Sequence, residues 1–288
     1  MTAAGAVSRR TPRAAPAFPR RLLLPLATLA VLAAAAALAP ALAPHDPARQ
    51  LDLVALQNRP PSAPHPLGTD PYSRDVLSRA LHAARVSLGV GALAALVSAL
   101  VGGTWGVLAG VARPAVDGAM MRLVDLALGI PRVLVLLVVV ALWGAVAPPT
   151  LALLLGATGW LGTSRLVRAQ VIAVRERDYV VAARALGASP RRVLARHLAP
   201  HALATLAVAG TSSFADVVAL EAGLSYLGVG VRPPVASWGS MIQDGAPFLA
   251  HAWWTAAVPI ACVVVTVLAA SALGDRLGEL LDPRARRR

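Results

Sequence analysis

The sequence of 288 residues contains no lysine, a single cysteine and few charged residues of any kind. Its 27 basic side chains are all arginines. The missing lysine excludes a P-loop ATPase and any enzyme that forms a Schiff base, including those that use pyridoxal phosphate. The lone Cys262 excludes an internal disulfide and a metal site built from several thiolates.

Charged residues make up only 14% of the chain, whereas hydrophobic residues make up 57% and the mean hydropathy is +0.65. A soluble domain averages about 25% charged and about 45–50% apolar residues. The composition therefore predicts an integral membrane protein and excludes a disordered chain.

Apolar runs of about 20 residues, the length that crosses a bilayer as a helix, predict an all-α fold with six transmembrane helices. The predicted spans are 22–42, 88–111, 123–146, 147–161, 202–227 and 252–273. The third, fourth and fifth contain or border charged residues, as expected of helices that face protein or a water-filled path. The first span also resembles a cleaved signal peptide, but its apolar run exceeds about 15 residues, which favours an uncleaved anchor.

The arginines predict the orientation of the chain. With the N-terminus inside, 20 of the 27 arginines fall in cytoplasmic segments and six in outer segments. The positive-inside rule therefore predicts a cytoplasmic basic N-terminus (1–21), an extracytoplasmic loop (43–87), a five-helix core (88–276) and a cytoplasmic basic tail (277–288). The basicity reflects topology, so we expect no nucleic-acid partner. Trp143, Trp253 and Trp254 then fall near the outer interface.

Small residues recur at four-residue spacing in the second span, where Gly102, Gly106 and Gly110 share one helix face. Such a ladder lets two helix backbones approach closely in a membrane. We therefore predict that this face packs against another helix.

The longest inner segment, 175–201, contains dense stop and start signals for helices. A helix-forming run ends at Gly187, which adopts a left-handed conformation at low cost. Ser189 and Pro190 then suit the N-cap and the first position of a new helix, which Pro200 is expected to end.

The resulting helix, 190–199, is too short to be stable without a partner surface. Arg191 and Arg192 lie on it, and Ala182 and Ala183 leave room for close approach beside the turn. One interpretation is a solvated loop that only orients the protein; the other is a folded surface that a second protein binds. The segment carries a net charge of +4, so a partner groove would be partly acidic.

Two carboxylates in the fifth span, Asp216 and Glu221, are candidates for a translocation path, because intramembrane carboxylates usually face a cavity or a basic partner. Their spacing puts them about 140° apart around a helix. Asp216 contacts a solute or pairs with Arg132, and the sequence leaves both open. Asp125 and Arg132, seven residues apart, are expected on one helix face.

Three other patterns are candidates for function. His197 and His201 have a metal-ligand spacing, but Pro200 lies between them, so no metal site is predicted there. Ser225 and His251 suggest a serine hydrolase, but the small residues expected around such a nucleophile are missing. After position 71 the outer loop becomes amphipathic and predicts an interfacial helix, which contacts a partner protein or lies on the membrane.

Ala182, Ala183, Gly187 and Pro200 stand at a spacing that resembles the EAA loop of ABC importer permeases. Further segments resemble the dipeptide/oligopeptide/nickel permease family, second-subunit type. They are LGTD (67–70), RDVLSR (74–79), ARVSL (84–88), EAGLSYLG (221–228), PP (233–234), SWG (237–239) and LDPR (281–284). Each motif is weak alone, but their order over 67–284 is specific.

The resemblance implies a pore-forming subunit that does no chemistry and binds no cofactor, in the plasma membrane of a prokaryote. Two separate ATPases would use ATP and Mg, a homologous permease would form a heterodimer with this chain, and an extracytoplasmic binding protein would deliver a peptide or similar solute. Helix 190–199, between the fourth and fifth spans, would be the coupling helix. The rival hypothesis is an ion-coupled secondary transporter that uses Asp216 and Glu221.

The candidate functional residues fall into two sets, of which the resemblance implies the first and the intramembrane carboxylates indicate the second. The ATPase-coupling residues are Ala182, Ala183, Arg184, Gly187, Ser189, Pro190, Arg191, Arg192 and Pro200. The residues of the translocation path are Asp216, Glu221 and Ser225. The chain departs from the family pattern at Val181, where the loop motif has Glu, at 72–73, where Leu-Gly is usual, and at Ala199, where Leu is usual.

Overall fold

The computed structural model describes residues 20–50, 52–144 and 146–281. Within these ranges the chain is helical, and the only β pairing is an isolated bridge between Thr69 and Asp75. The all-α prediction is therefore confirmed. Most of the predicted N-terminal segment, the end of the C-terminal tail and nearly all of the LDPR motif lie outside the described residues.

Eleven α-helices are present in the described ranges. They are α1 (Arg20–Ala37), α2 (Ala39–Leu42), α3 (Val76–Val111), α4 (Pro114–Leu128), α5 (Arg132–Trp143), α6 (Pro148–Arg175), α7 (Asp178–Ala185), α8 (Pro190–Val193), α9 (Ala199–Tyr226), α10 (Trp238–Gly245) and α11 (Trp254–Leu281). A π-helical turn, Leu194–Leu198, joins α8 to α9, and a 3-10 turn, Ala246–Phe248, follows α10.

Three helices are long and apolar enough to cross a membrane: α3, the continuous helix Pro190–Tyr226 formed by α8, the π-helical turn and α9, and α11. A fourth span results if α4 and α5, which are bent by 70°, count as one. The apolar part of α1, Leu22–Ala37, is shorter. By length and composition the structure therefore gives three to four spans, and the count of six stays a prediction.

The region predicted as one span over 123–146 is broken. α4 ends at Leu128, Gly129 caps it, and Pro131 precedes α5. A proline lacks the N–H that an uninterrupted helix needs and restricts the residue before it, so the chain turns here. The prediction that Asp125 and Arg132 share one helix face is wrong, because they lie on different helices.

Helix α3, which contains the second predicted span, begins at Val76, twelve residues before the predicted start at 88. Asp75 is its N-cap, and its carboxylate accepts a hydrogen bond from the Ser78 N–H at 2.8 Å. The predicted interfacial helix is thus the first part of α3, and its inner face, including Arg79, is buried against the rest of the chain. The fourth predicted span, 147–161, is likewise only the first half of α6.

The glycine ladder of α3 lies directly against α6. A Cβ atom at Gly102 would approach the Trp160 carbonyl oxygen to 2.6 Å, and one at Gly106 would approach the Ser164 carbonyl oxygen to 2.5 Å. Gly110 lies equally close to Val171. Absent side chains thus let the two backbones meet, and α6 is the helix that α3 contacts most extensively.

The described part of the chain contains three buried apolar clusters, each shared by several helices. The first joins α3, α5, α6 and α9, and the second joins the start of α3 to α10 and α11. Trp254 belongs to the second cluster, and its indole N–H donates to the Thr69 carbonyl oxygen at 3.2 Å. Trp254 is therefore buried, whereas Trp143 and Trp253 are exposed, and the position of all three near the outer interface stays a prediction. The third cluster lies at the far end of α6.

Candidate functional site

The predicted coupling segment forms a folded projection at the end of α6, which we call the coupling knob (residues 178–198). Its base is apolar: Val180, Val193 and Leu198 are buried in the third cluster against Val167 and Val171 of α6. Five apolar side chains at a helix end hold the knob in one position, because removing them from water stabilises the contact by about 1.5–3 kcal/mol for each fully buried side chain.

The turn at the tip of the knob has the predicted conformation. Gly187 has φ +83, and α7 ends in a Schellman motif in which the Gly187 N–H donates to the Arg184 carbonyl oxygen and the Ala188 N–H to the Ala183 carbonyl oxygen. Ser189 is the N-cap of α8, and its hydroxyl accepts from the Arg192 N–H at 3.4 Å. Pro190 occupies the first turn, as predicted.

The predicted stop at Pro200 is wrong, because the helix continues through it to Tyr226. The π-helical turn immediately before it shifts the hydrogen bonding by one residue, so that the Ala199 N–H donates to the Leu194 carbonyl oxygen. This widened turn accommodates a proline, whose ring would clash with the carbonyl group one regular turn earlier. The coupling knob is therefore joined to α9 without a break.

The exposed surface of the coupling knob is apolar at its centre and basic at its edge. Leu186 is 89% exposed, and Val181 and Ala182 are exposed beside it. The basic side chains around this surface belong to Arg184, Arg191, Arg192 and Arg196, and all four are exposed. An exposed apolar surface with a charged rim is typical of a protein-binding site.

His197 and His201 do not converge on a common point. The His197 ring packs on the Tyr179 ring with centroids 5.8 Å apart, and the Tyr179 hydroxyl is 3.3 Å from His201 Nε2. Both histidines therefore hold α7 against the start of α9.

The second half of α9 has one open face that is made mostly of small residues. The exposed positions of this face, which we call the α9 stripe, are Ser212, Asp216, Ala219 and Gly223. Their spacing of three to four residues keeps them on one side of a helix. Among the described residues, no hydrogen bond or ion pair holds the Asp216 carboxylate, which lies in the middle of the stripe.

The predicted pairing of Asp216 with Arg132 is not formed as an ion pair. Arg132 Nε donates to Thr158 Oγ1 at 3.0 Å, and its terminal nitrogen donates to the Leu155 carbonyl oxygen at 2.6 Å. Arg132 therefore binds α6. Asp125 forms an ion pair with Arg165 on the same helix, so α6 holds both halves of the bent α4–α5 pair.

Glu221 lies on the opposite side of α9 and is fully buried, with 0% exposure. Its two oxygens accept hydrogen bonds from the hydroxyls of Ser87, at 2.9 Å, and Ser225, at 2.7 Å. The same hydroxyls accept from the backbone N–H groups of Trp238 and Val231. Glu221 and Ser225 thus connect α3, α9 and the chain before α10 and do not line an open path.

The hydroxyl of Ser225 is therefore engaged by Glu221, whereas His251 is exposed at the far side of α10. The arrangement lacks the serine–histidine hydrogen bond that a hydrolase would need.

Four charged side chains, three of them buried and Asp244 partly exposed, connect the outer loop to α10. Arg74 donates to Asp70 at 2.6 Å and to Asp244 at 2.7 Å, and Arg79 lies 3.4 Å from Asp70 and 3.1 Å from Asp244. Two guanidinium groups and two carboxylates balance in charge, which is how buried charges are accommodated. This arginine–aspartate cluster is not among the predicted sites, and its only signal in the sequence is the alternation of acidic and basic residues over 70–79.

Several of the segments that resemble family motifs therefore meet in space. The motifs before the second predicted span supply Arg74, Arg79 and Ser87, and the motif at the end of the fifth supplies Glu221. Trp238 adds an indole N–H that donates to the Ala80 carbonyl oxygen at 3.2 Å. These motifs build the predicted outer end of the helix assembly, while the loop motif builds the coupling knob.

The chain is similar to known transport proteins. Residues 102–287 match the family model described as "Binding-protein-dependent transport system inner membrane component". A dipeptide transport system permease protein (DppC) of Bacillus subtilis (strain 168) is 38% identical over 253 residues, which cover 88% of this chain and 78% of the relative. An oligopeptide transport system permease protein (OppC) of the same organism is 36% identical and spans 80% and 75% of the two chains.

A di/tripeptide transport system permease protein of Pseudomonas aeruginosa (strain UCBPP-PA14) is 35% identical, covering 85% of this chain and 82% of the relative. Among solved structures, a chain of the MetNI methionine ABC transporter in an inward-facing conformation superposes with a TM-score of 0.52. It is 21% identical, and the match covers 68% of this chain and 93% of that one. This likeness supports the helical fold of an ABC importer permease.

Proposed function

The chain belongs to the family of binding-protein-dependent transport system inner membrane components and is a membrane-spanning permease subunit of an ABC importer, and from this premise we propose that it carries peptides across the plasma membrane of a prokaryote. The three relatives described above are named for dipeptides, oligopeptides and di/tripeptides. Peptides delivered by an extracytoplasmic binding protein are therefore the solute class we propose.

The observation that carries this proposal is the coupling knob with its exposed apolar centre and basic rim. The chain lacks lysine and hence a P-loop, so the energy of ATP must arrive through a partner. We assign the knob as the surface that docks into a partly acidic groove of a cytoplasmic ATPase, which binds ATP and Mg. Val181 stands where the family motif has Glu, so the centre of this contact is apolar here.

The topology follows from the helices and the arginines together. Six spans result if α1, α3, the bent α4–α5 pair, α6, the helix Pro190–Tyr226 and α11 each cross once. Both termini then lie in the cytoplasm, with 20 of the 27 arginines on that side. The coupling knob falls between the fourth and fifth spans and faces the cytoplasm, where an ATPase can reach it.

The α9 stripe is the part of the chain that we assign to the translocation path and to the homologous partner permease. A carboxylate exposed in the middle of an apolar helix is costly in lipid by about 2.5–3.5 kcal/mol, so Asp216 faces a polar cavity between two permeases. Glu221 and Ser225 are not part of this path, since both are buried in a hydrogen-bonded connection between helices.

The family assignment favours this importer over the ion-coupled carrier that Asp216 and Glu221 suggested. A carrier that used both carboxylates would need both to be reachable by an ion. Only Asp216 is exposed, and both oxygens of Glu221 are occupied by serine hydroxyls.

The test is a substitution at the tip of the coupling knob. Leu186 is 89% exposed, so Leu186→Asp removes no packing, but it places a charge in the apolar centre of the proposed contact. The matched control is Val54→Asp, because Val54 is 93% exposed in the outer loop. Both variants are purified from native membranes in mild detergent, and the ATPase that copurifies is quantified.

We expect the ATPase to copurify with the wild type and with Val54→Asp and to be lost with Leu186→Asp. ATP-driven peptide uptake in reconstituted vesicles should fall in parallel. Equal recovery of the ATPase with all three proteins would show that the coupling knob does not form the contact.

A further inference from the structure

Two histidines and an aspartate from distant parts of the outer loop converge at the start of α3. His65 Nδ1 lies 3.0 Å from Asp75 Oδ1, and His45 Nδ1 lies 3.9 Å from the same oxygen. One ligand atom from each residue falls within 4.8 Å of the other two, and no other group of three His, Cys, Asp or Glu side chains meets this criterion in the described ranges. These three residues are not among the predicted site residues, and no metal site is predicted from the sequence.

His45 provides the independent indication that a ligand belongs at this point. Its Nδ1 atom is buried and has no hydrogen-bond partner, although 33% of its side chain is exposed. The distance of 3.9 Å to Asp75 is too long for a hydrogen bond. A buried ring nitrogen without a partner costs free energy, and a cation between it and the carboxylate would remove that cost.

The spacing suits a small transition-metal ion. Bonds of about 2.0–2.2 Å from zinc to nitrogen and oxygen place the ligand atoms of a tetrahedral site about 3.3 Å apart. The distances of 3.0 and 3.9 Å at Asp75 bracket this value, so shifts of about 0.3 and about 0.6 Å bring the two histidine nitrogens to this spacing from Asp75 Oδ1. Two imidazoles and one carboxylate form a ligand set that favours zinc over calcium or magnesium.

The surroundings fix the carboxylate in place. Asp75 Oδ2 accepts hydrogen bonds from the Ser78 N–H at 2.8 Å and from the Ser78 hydroxyl at 2.7 Å, which leaves Oδ1 to the two histidines. The Ser78 hydroxyl in turn accepts from the His45 backbone N–H at 3.1 Å. Outer partners of this kind orient metal ligands and are part of a metal site.

We propose that His45, His65 and Asp75 bind one zinc ion through His45 Nδ1, His65 Nδ1 and Asp75 Oδ1, with water as the fourth ligand. When the metal binds, the proton that His65 Nδ1 shares with Asp75 passes through water to Nε2 of the same ring, and the Nδ1 lone pair binds the zinc. The ion ties the end of α2 to the start of α3 across a 30-residue stretch of loop. It therefore holds the outer loop, the part of this permease that an extracytoplasmic partner meets first.

The experiment uses the full-length chain in detergent, purified through a tag without histidine. The protein is stripped with a chelator, equilibrated with ZnCl₂ and desalted, and bound zinc is measured by mass spectrometry. The affinity is measured by competition with a chromogenic chelator. The test variant is His45→Gln, because its Nδ1 makes no hydrogen bond whose loss could unfold the protein. The control is His251→Gln, since His251 is exposed on the same side of the membrane.

We expect one zinc per chain in the wild type and in His251→Gln. The zinc affinity of His45→Gln should be weaker by at least about 100-fold, because losing a ligand lowers the affinity more than losing an outer partner, which lowers it by about 10- to 100-fold. Asp75→Asn should weaken binding in the same way while it still caps α3. Cobalt in place of zinc should give the visible absorption bands of a tetrahedral site only in the wild type and the control. Wild-type protein without bound zinc, or equal binding by His45→Gln, would overturn the proposal.

Discussion

Adding one methyl group at Gly106 should separate α3 from α6, and the structure allows the effect to be estimated. A Cβ atom there would lie 2.5 Å from the Ser164 carbonyl oxygen, 2.8 Å from Val167 Cβ and 3.0 Å from the Arg168 nitrogen. Two of these three atoms belong to the backbone, which cannot move aside as a side chain can. Gly89, on the same helix, has no atom within 4 Å of the corresponding position, so Gly89→Ala is the matched control.

The expected magnitude combines two opposing terms. Overpacking a closely packed contact costs about 1–3 kcal/mol, because a gap of about 1 Å between the helices forfeits up to half of their dispersion attraction. Alanine offsets about 1 kcal/mol of this through its higher helix propensity. Gly106→Ala should therefore lower the free energy of unfolding by up to about 2 kcal/mol, whereas Gly89→Ala should leave it unchanged or raise it by up to about 1 kcal/mol.

Thermal unfolding in a defined detergent measures the difference. A gap of about 2 kcal/mol between the variants corresponds to about 4–8 °C in Tm for a chain of this size. Gly106→Ala should unfold at the lower temperature, and the wild type should lie between the variants or level with Gly89→Ala. If the two variants unfold at the same temperature, α3 and α6 do not meet through the glycine ladder.

Two further predictions concern charged side chains. Asp244→Asn leaves two buried arginines with a single carboxylate, so we expect the free energy of unfolding to fall by about 2–4 kcal/mol, less than for a fully buried pair because 24% of the Asp244 side chain is exposed. The exposed control Asp275→Asn should change Tm by less than about 1 °C. Equal Tm values for the two variants would contradict the proposed role of the cluster. The second prediction uses a Cys262→Ser background. There Asp216→Cys should react with a membrane-impermeant thiol reagent because it faces water, whereas Leu268→Cys, exposed on α11, should stay unlabelled in lipid. Equal labelling of both cysteines would exclude an aqueous α9 stripe.

Local chemistry explains what the sequence predicted well. The turn of the coupling knob depends on residues within a few positions of one another: Gly187 for the left-handed conformation, Ser189 for the cap and Pro190 for the first turn. Each acts through its own backbone, so its role is readable without knowing the fold. The start of α3 has a local signal of the same kind, because Asp75 caps the helix by accepting from the Ser78 N–H. Hydropathy, in contrast, marks only the apolar part of the helix.

Long-range contacts explain what the sequence did not predict. Arg74 and Asp244 lie 170 residues apart, and no local pattern shows that they meet. Glu221 was assigned to a translocation path because a carboxylate in an apolar helix usually faces water, yet the helix face it occupies points at Ser87. Pro200 was expected to end a helix, but a widened turn before it accommodates the ring. In each case a distant or compensating partner decided the outcome.

The continuous helix from Pro190 to Tyr226 has a mechanical consequence. At about 1.5 Å per residue, its 37 residues form a rod of about 55 Å with the coupling knob at one end and the Glu221 connection near the other. A tilt of about 5° around its middle would move each end by about 2.4 Å in opposite directions. A modest rotation of the coupling knob by an ATPase would therefore displace the opposite end of this helix at once, in the reverse direction. The α9 stripe, which lies on the same helix, would move with that end.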